Sequence, residues 1–185
     1  MQEEELIAKL LLREESAYVH CITTYQDKIF KLCLGFLHSR EDAEDICQEV
    51  FIELFRSIES FRGNSSVVTW LYRVAVNKSL NHQKKIKRQR IFAKMLGAFG
   101  PADGGKESPD KKVEQKEVSG ALLRALDKLP ENQRIAYTLA KYDDLSYEEI
   151  AVVMSLSLSS VESLMFRAKD NLKKSLLNYY ENNFK

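Results

Sequence analysis

The stretch SYEEIAVVMSLSLSSVESLMFRAKDNL, Ser146 to Leu172, decides the fold of the second half of the chain. Ser146-Tyr147-Glu148-Glu149 sets a serine three residues before a glutamate. In this capping box the serine hydroxyl takes an orphan amide of the first turn and the glutamate returns to the serine's own amide. The apolar run Ile150-Ala151-Val152-Val153-Met154 follows, and Ser155-Leu156-Ser157 is long enough only for a turn. A second serine-to-glutamate pair, Ser159 to Glu162, opens a further helix expected over Val161 to Leu177. Helix, short turn, helix is the helix-turn-helix unit.

On the last helix Val161, Met165, Ala168 and Leu172 recur at helical spacing and form the stripe to be buried. Ser159, Glu162, Ser163, Phe166, Arg167 and Lys169 fall outside it. Serines and a glutamate near a helix N-terminus can reach base edges, and Arg167 and Lys169 suit guanine or phosphate. An ordinary amphipathic helix in an αα-hairpin is the plainer alternative, but it gives no reason for Phe166 on the exposed side.

Upstream, Leu122, Leu123, Leu126 and Leu129 end at Pro130, a residue that stops one helix and suits the first turn of the next, expected from about Glu131. Four of the seven glycines and two of the three prolines fall between Gly97 and Pro109, which marks a linker. The domains expected are therefore 1–95 and 118–185, joined by a flexible linker at 96–117. Tyr25, Ile29, Leu32, Cys33 and Phe36 step by three or four, as do Ala43, Ile46, Cys47, Val50 and Leu54. Strand-like alternation is missing over any useful length, so the expected fold is all-α, two small helical domains with the helix-turn-helix in the second.

The net charge of +1 conceals a strong polarity. Glu41 to Ser60 holds seven acids against one base, and Leu71 to Lys94 holds eight bases and no acid. One segment repels nucleic acid and the next attracts it, which suggests two different partners. The acidic helix sets Asp42, Asp45, Gln48 and Glu49 on one face, opposite Ala43, Ile46 and Val50. Three carboxylates so placed could hold a divalent ion, but no histidine lies nearby in sequence, and a solvated face or a surface for a basic partner reads at least as well.

A third helix, expected from near Thr69, aligns Trp70, Arg73, Asn77, Asn81 and Lys84 on one side. Aromatic and basic groups interleaved in this way are the composition of a single-strand binding surface, where bases stack and phosphates meet cations. The polar loop Phe61-Arg62-Gly63-Asn64-Ser65-Ser66 just before it can offer hydrogen bonds to an unstacked base. A core tryptophan is the equal alternative for Trp70.

With 44% apolar and 30% charged residues, the chain is excluded from wholesale disorder. No apolar run approaches a membrane span, and the acidic start Met1-Gln2-Glu3-Glu4-Glu5 lacks the basic flank of a signal peptide, so a cytoplasmic location without membrane insertion is expected. Cys21, Cys33 and Cys47 lie far apart in helical segments and read as small core residues; a redox switch would need an exposed, low-pKa thiolate. No metal or cofactor is expected.

These residues resemble a known family. Asp42-Ala43-Glu44-Asp45-Ile46-Cys47-Gln48-Glu49-Val50-Phe51, Phe61-Arg62-Gly63 and Thr69-Trp70-Leu71-Tyr72-Arg73-Val74-Ala75-Val76-Asn77 resemble region two of the extracytoplasmic-function sigma factors of the sigma-70 family. Leu129-Pro130-Glu131-Asn132-Gln133-Arg134, Leu145 to Ala151 and Ser160 to Lys169 resemble their region four. The resemblance implies a non-enzymatic subunit that directs RNA polymerase to promoters. It implies that Asp42, Asp45, Gln48 and Glu49 dock on the β′ clamp helices of core polymerase and that region four meets the β flap. It further implies minus-ten recognition and melting by Arg62, Asn64, Ser65, Trp70, Arg73, Asn77, Asn81 and Lys84. Minus-thirty-five reading would fall to Ser159, Ser160, Glu162, Ser163, Phe166, Arg167 and Lys169, and an anti-sigma factor is an expected partner. Ser155 stands where many members have glycine, and Glu162 and Leu164 stand where basic residues are frequent.

Two other functions fit parts of the chain. A stand-alone helix-turn-helix regulator would use the second block but has no need of an acidic helix beside a basic aromatic one. A metal-dependent nuclease built on Asp42, Asp45 and Glu49 would need convergent histidine or lysine groups.

Overall fold

A computed structural model describes residues 1–61, 63, 65–95, 113–142 and 145–183. Among these the chain is helical, in the order α1 (Glu3–Leu11), α2 (Glu15–Leu37), α3 (Arg40–Ser57), a 3-10 turn (Ile58–Ser60), α4 (Val67–Met95), α5 (Val113–Asp127), α6 (Glu131–Tyr142), α7 (Tyr147–Met154) and α8 (Leu158–Asn183). No strand occurs among the described residues.

The acidic start, uninformative about fold when read as a sequence, is the first turn of α1. Glu3, Glu4 and Glu5 lie at the positive end of the helix dipole while Leu6 and Leu10 are buried. Glu3 also accepts a hydrogen bond from the Val67 amide at 2.6 Å, so it ties α1 to the start of α4. That start lies two residues before Thr69, because the Ser66 hydroxyl accepts from the Thr69 amide at 3.2 Å.

α2 ends at His38 in the left-handed region (φ 56°), and Ser39 immediately caps α3 by accepting from the Asp42 amide at 3.3 Å. The expected stripe of α3 is the observed one: Ala43, Ile46, Cys47, Val50 and Leu54 are buried. In α2 Ile29, Leu32, Cys33 and Phe36 are buried and Tyr25 only partly so.

In the second block the capping box at Ser146 and Glu149 is formed in both directions. The second box is not used as expected. α8 begins at Leu158, and the capping hydroxyl belongs to Ser157, which accepts from the Ser160 amide at 3.2 Å. Ser159 lies inside the first turn, because Ser155 reverses the chain in one residue and leaves Ser157 in the capping position. α5 begins at Val113, inside the segment expected as linker; residues 96–112 of that segment lie outside the described residues.

The two helical blocks share one interior. A continuous apolar cluster runs from Leu6, Ile29 and Phe36 through Val76 and Leu80 to Ile135, Leu139, Ile150, Val153, Val161 and Met165. α6 packs on α2 and α7 on α4. A smaller cluster of Ala125, Leu126, Leu129, Ala168 and Leu172 closes α5 over α8. Emptying a fully buried side chain such as Leu139 costs about 2–5 kcal/mol, so each contact is well able to fix its helix. No single helix among the described residues is long and apolar enough to cross a membrane.

Candidate nucleic-acid interface

The chain direction turns by 104° between α7 and α8, within the range of helix-turn-helix units. Ser155 makes the turn in the left-handed conformation (φ 56°, ψ 44°). The geometry is the one that favours glycine at this position, and the serine adopts it with the Leu156 amide bonded back to Ala151 at 2.9 Å.

Val161, Met165, Ala168 and Leu172 face inward as expected. Ser159, Glu162, Ser163, Phe166, Arg167 and Lys169 are exposed, and Ser160 partly so. Phe166 is 74% exposed and belongs to neither apolar cluster. Arg167 donates to its own helix at the Ser163 carbonyl (3.2 Å), and Lys169 reaches the Tyr147 hydroxyl (3.3 Å), which joins the first turn of α7 to the same face.

On α3, Asp45, Gln48 and Glu49 are exposed, and Asp42 is partly covered by His82 of α4, with 3.1 Å between Nε2 and Oδ1. Lys78 of α4 lies 3.3 Å from Glu49 and 3.4 Å from Glu53. The Ser57 hydroxyl, with Lys78 as a further favourable charge, holds the Glu53 carboxyl below the ordinary glutamate range. Glu49 and Glu53 thus share Lys78 of the neighbouring helix, and no three metal-ligating side chains converge among the described residues.

The structure divides the expected minus-ten set. Arg62 and Asn64 lie outside the described residues, while Gly63 takes a positive φ of 70° in the loop between them. Ser65 is partly exposed. Trp70 is partly buried against the main cluster, an intermediate between the two readings of the sequence. Asn77 and Asn81 are exposed. Arg73 and Lys84 are engaged with the second block: Arg73 donates to the carbonyls of Val152 (3.2 Å) and Val153 (3.3 Å), and Lys84 lies 3.1 Å from the Glu131 carboxylate.

One feature escaped the sequence. A groove between α2 and α3, lined by Ile22, Gln26, Phe30, Arg40, Phe51 and Ile52 among others, runs beside the acidic face. Ile22 and Ile52 are exposed there. Large apolar residues outside the buried stripe of α3 were the available signal. The three cysteines are buried, and burial pushes the Cys21 thiol up to about 12 and that of Cys47 to about 11, which removes the thiolate a redox switch requires.

Comparison with known proteins places both blocks. Residues 21–89 match the family model "Sigma-70 region 2", and residues 119–172 match "Sigma-70, region 4". The RNA polymerase sigma-H factor of Pseudomonas aeruginosa is 33% identical over 95% of this chain and 94% of its own length. The chain belongs to the extracytoplasmic-function (ECF) sigma factors of the sigma-70 family. The ECF RNA polymerase sigma-E factor of Escherichia coli K12 is also 33% identical, over 92% of each chain. Among solved structures, CnrH in complex with the cytosolic domain of CnrY superimposes with a TM-score of 0.68 at 20% identity, covering 96% of this sigma factor and 97% of that chain. The sigma factor RpoE bound to the anti-sigma factor NepR from Bartonella quintana gives 0.61 at 19% identity, covering 86% and 96%. The two region matches in order, with named sigma factors aligned over 92% and 95% of the chain, set aside the stand-alone regulator and the nuclease. It is a non-enzymatic protein of transcription initiation.

Proposed function

We propose that this ECF sigma factor docks on the β′ clamp helices of core RNA polymerase through Asp42, Asp45, Gln48 and Glu49, with region four on the β flap. The observation that carries this reading is the α3 helix itself: its apolar face is fully buried while Asp45, Gln48 and Glu49 stand in solvent. An exposed carboxylate row contributes little to the fold and suits a basic partner. The adjoining α2–α3 groove, with Ile22 and Ile52 at its edge, would supply the apolar part of the contact.

Arg62, Asn64, Ser65, Trp70, Arg73, Asn77, Asn81 and Lys84 then open and read the minus-ten element. Ser159, Ser160, Glu162, Ser163, Phe166, Arg167 and Lys169 read the minus-thirty-five element from the major groove. The protein acts in the cytoplasm, where polymerase and chromosome are, and an anti-sigma factor holds it in check, as NepR is bound to its RpoE partner. Transcription by reconstituted core polymerase over a genomic DNA library, with and without the sigma factor, tests the reading: start sites that depend on the protein are expected and return the promoter sequence. An unchanged transcript set would refute it.

A further inference from the structure

We propose that α1 braces the minus-ten face and that Glu3 is its positioning residue, holding the first turn of α4, which carries Trp70, in the conformation that strand opening needs. This rests on the reading of α4 as the strand-binding helix.

The first turn of α4 is capped from two sources. Ser66 serves it locally: its hydroxyl accepts from the Thr69 amide at 3.2 Å and its carbonyl from the Trp70 amide at 3.1 Å. A local capping side chain reaches the second or third amide of a helix and leaves the first without a partner. Here that first amide belongs to Val67, and Glu3, 64 positions earlier, accepts from it at 2.6 Å. Val67 is buried, so leaving its amide unpaired would be destabilising. The bond is of the short, charge-assisted kind that a carboxylate makes at the positive end of a helix dipole.

The brace reaches both sides of the loop at 61–66. Just past its other end, Arg13 donates to the Glu59 carboxylate at 2.9 Å, in the 3-10 turn that leads into the loop. Between the two ties runs α1, nine residues and about 13 Å of helix. Its Leu6 and Leu10 share the main apolar cluster with Ile58, before the loop, and Val67, after it. The Tyr18 hydroxyl donates to the Leu10 carbonyl at 3.0 Å and so fixes α1 on α2. The Arg13 pair is exposed and contributes little by itself, which leaves Glu3 as the tie whose loss the first turn of α4 should feel. Strand opening has to be offset by contacts to the separated bases, and contacts from side chains that must first be ordered are weaker by that ordering. A frayed first turn therefore slows opening, while docking through α3 and minus-thirty-five reading through α8 stay as they are.

The test uses the full chain in holoenzyme, on a promoter returned by start-site sequencing, as duplex and as premelted bubble. Glu3→Gln keeps the reach and an acceptor oxygen and drops the charge. Glu3→Asp keeps the charge and falls one methylene short of the Val67 amide. Glu4→Ala, exposed in the same turn, is the control. The readout is the ratio of run-off transcription from duplex to that from bubble, which a general loss of folded protein would not move. The ratio is expected to fall about tenfold in Glu3→Asp and to stay within about twofold of the parent in Glu3→Gln and Glu4→Ala. A parent-like ratio in Glu3→Asp beside a lowered one in Trp70→Ala would overturn the brace and leave the reading of α4 standing. Parent-like ratios in both would overturn the reading of α4 and the brace with it. An equal fall in Glu3→Asp and Glu4→Ala would also overturn the assignment to Glu3.

Hydrogen exchange of the free full chain, followed by mass spectrometry, checks the cap directly. Peptides spanning residues 65–72 should exchange about tenfold faster in Glu3→Asp than in the parent, with those of α3 unchanged. Equal exchange over 65–72 would refute the cap.

Discussion

His38, at the left-handed end of α2, faces Asp127, at the end of α5, with 3.5 Å between Nε2 and Oδ1. Residues 89 positions apart in the sequence thus tie the first block to the second. The hydrogen bond from His38, followed by the charges of His38 and Arg134, holds the Asp127 carboxyl below the ordinary aspartate range. A carboxyl depressed in the folded state contributes stability above its unfolded pKa and loses it as pH falls through the folded value. Asp127→Asn should therefore lower Tm at neutral pH, and the difference from the parent should shrink as pH falls below the ordinary aspartate range and through the lower folded value. Thermal melts of both proteins across the acid range check this; a difference that persists unchanged at the acid end would exclude the ion pair as its cause.

Ser155 holds a left-handed conformation without being glycine. That conformation costs an L-residue about 1–2 kcal/mol, and glycine gives back part of the gain through its freedom in the unfolded chain, so Ser155→Gly should stabilise by roughly 0.5–1 kcal/mol. Urea denaturation measures it, and a destabilised variant would mean that the serine side chain has an unseen partner.

Asp45→Arg with Glu49→Arg should abolish binding to core polymerase and leave the helical circular dichroism unchanged. Both residues are exposed on α3, and the one bridge broken, Glu49 to Lys78, is a surface pair worth about 0–1 kcal/mol. Unchanged affinity for core polymerase would defeat the docking assignment.

Arg167→Ala and Trp70→Ala should fail at different steps. Arg167 is exposed on α8, so its loss weakens closed-complex binding, by about 1–3 kcal/mol if it pairs with a guanine. Trp70 is partly buried beside the loop at 61–66, so its loss impairs strand opening and also lowers Tm. Run-off transcription from premelted bubble templates at a permissive temperature should rescue Trp70→Ala and not Arg167→Ala. Equal rescue of both would show that recognition and melting are divided wrongly between the helices.

What the sequence determined by itself is what helices encode locally. The stripes of α3 and α8 and the box at Ser146 were legible because burial and capping depend on residues three or four apart. So was the exposure of Asp45, Glu49 and Phe166, which follows from the opposite face being apolar. The capping serine of α8 was misplaced by two residues because Ser157 and Ser159 both lie ahead of suitable first turns, and only the reversal at Ser155 selects between them. The tertiary structure alone decided that Trp70 is half in the core, that Glu3 caps α4, and that Arg73 is spent on Val152 and Val153. A side chain bonded to a backbone carbonyl 79 residues away leaves no pattern in sequence. Carbonyls are the same in every residue, and which one an arginine meets is set by how the helices pack.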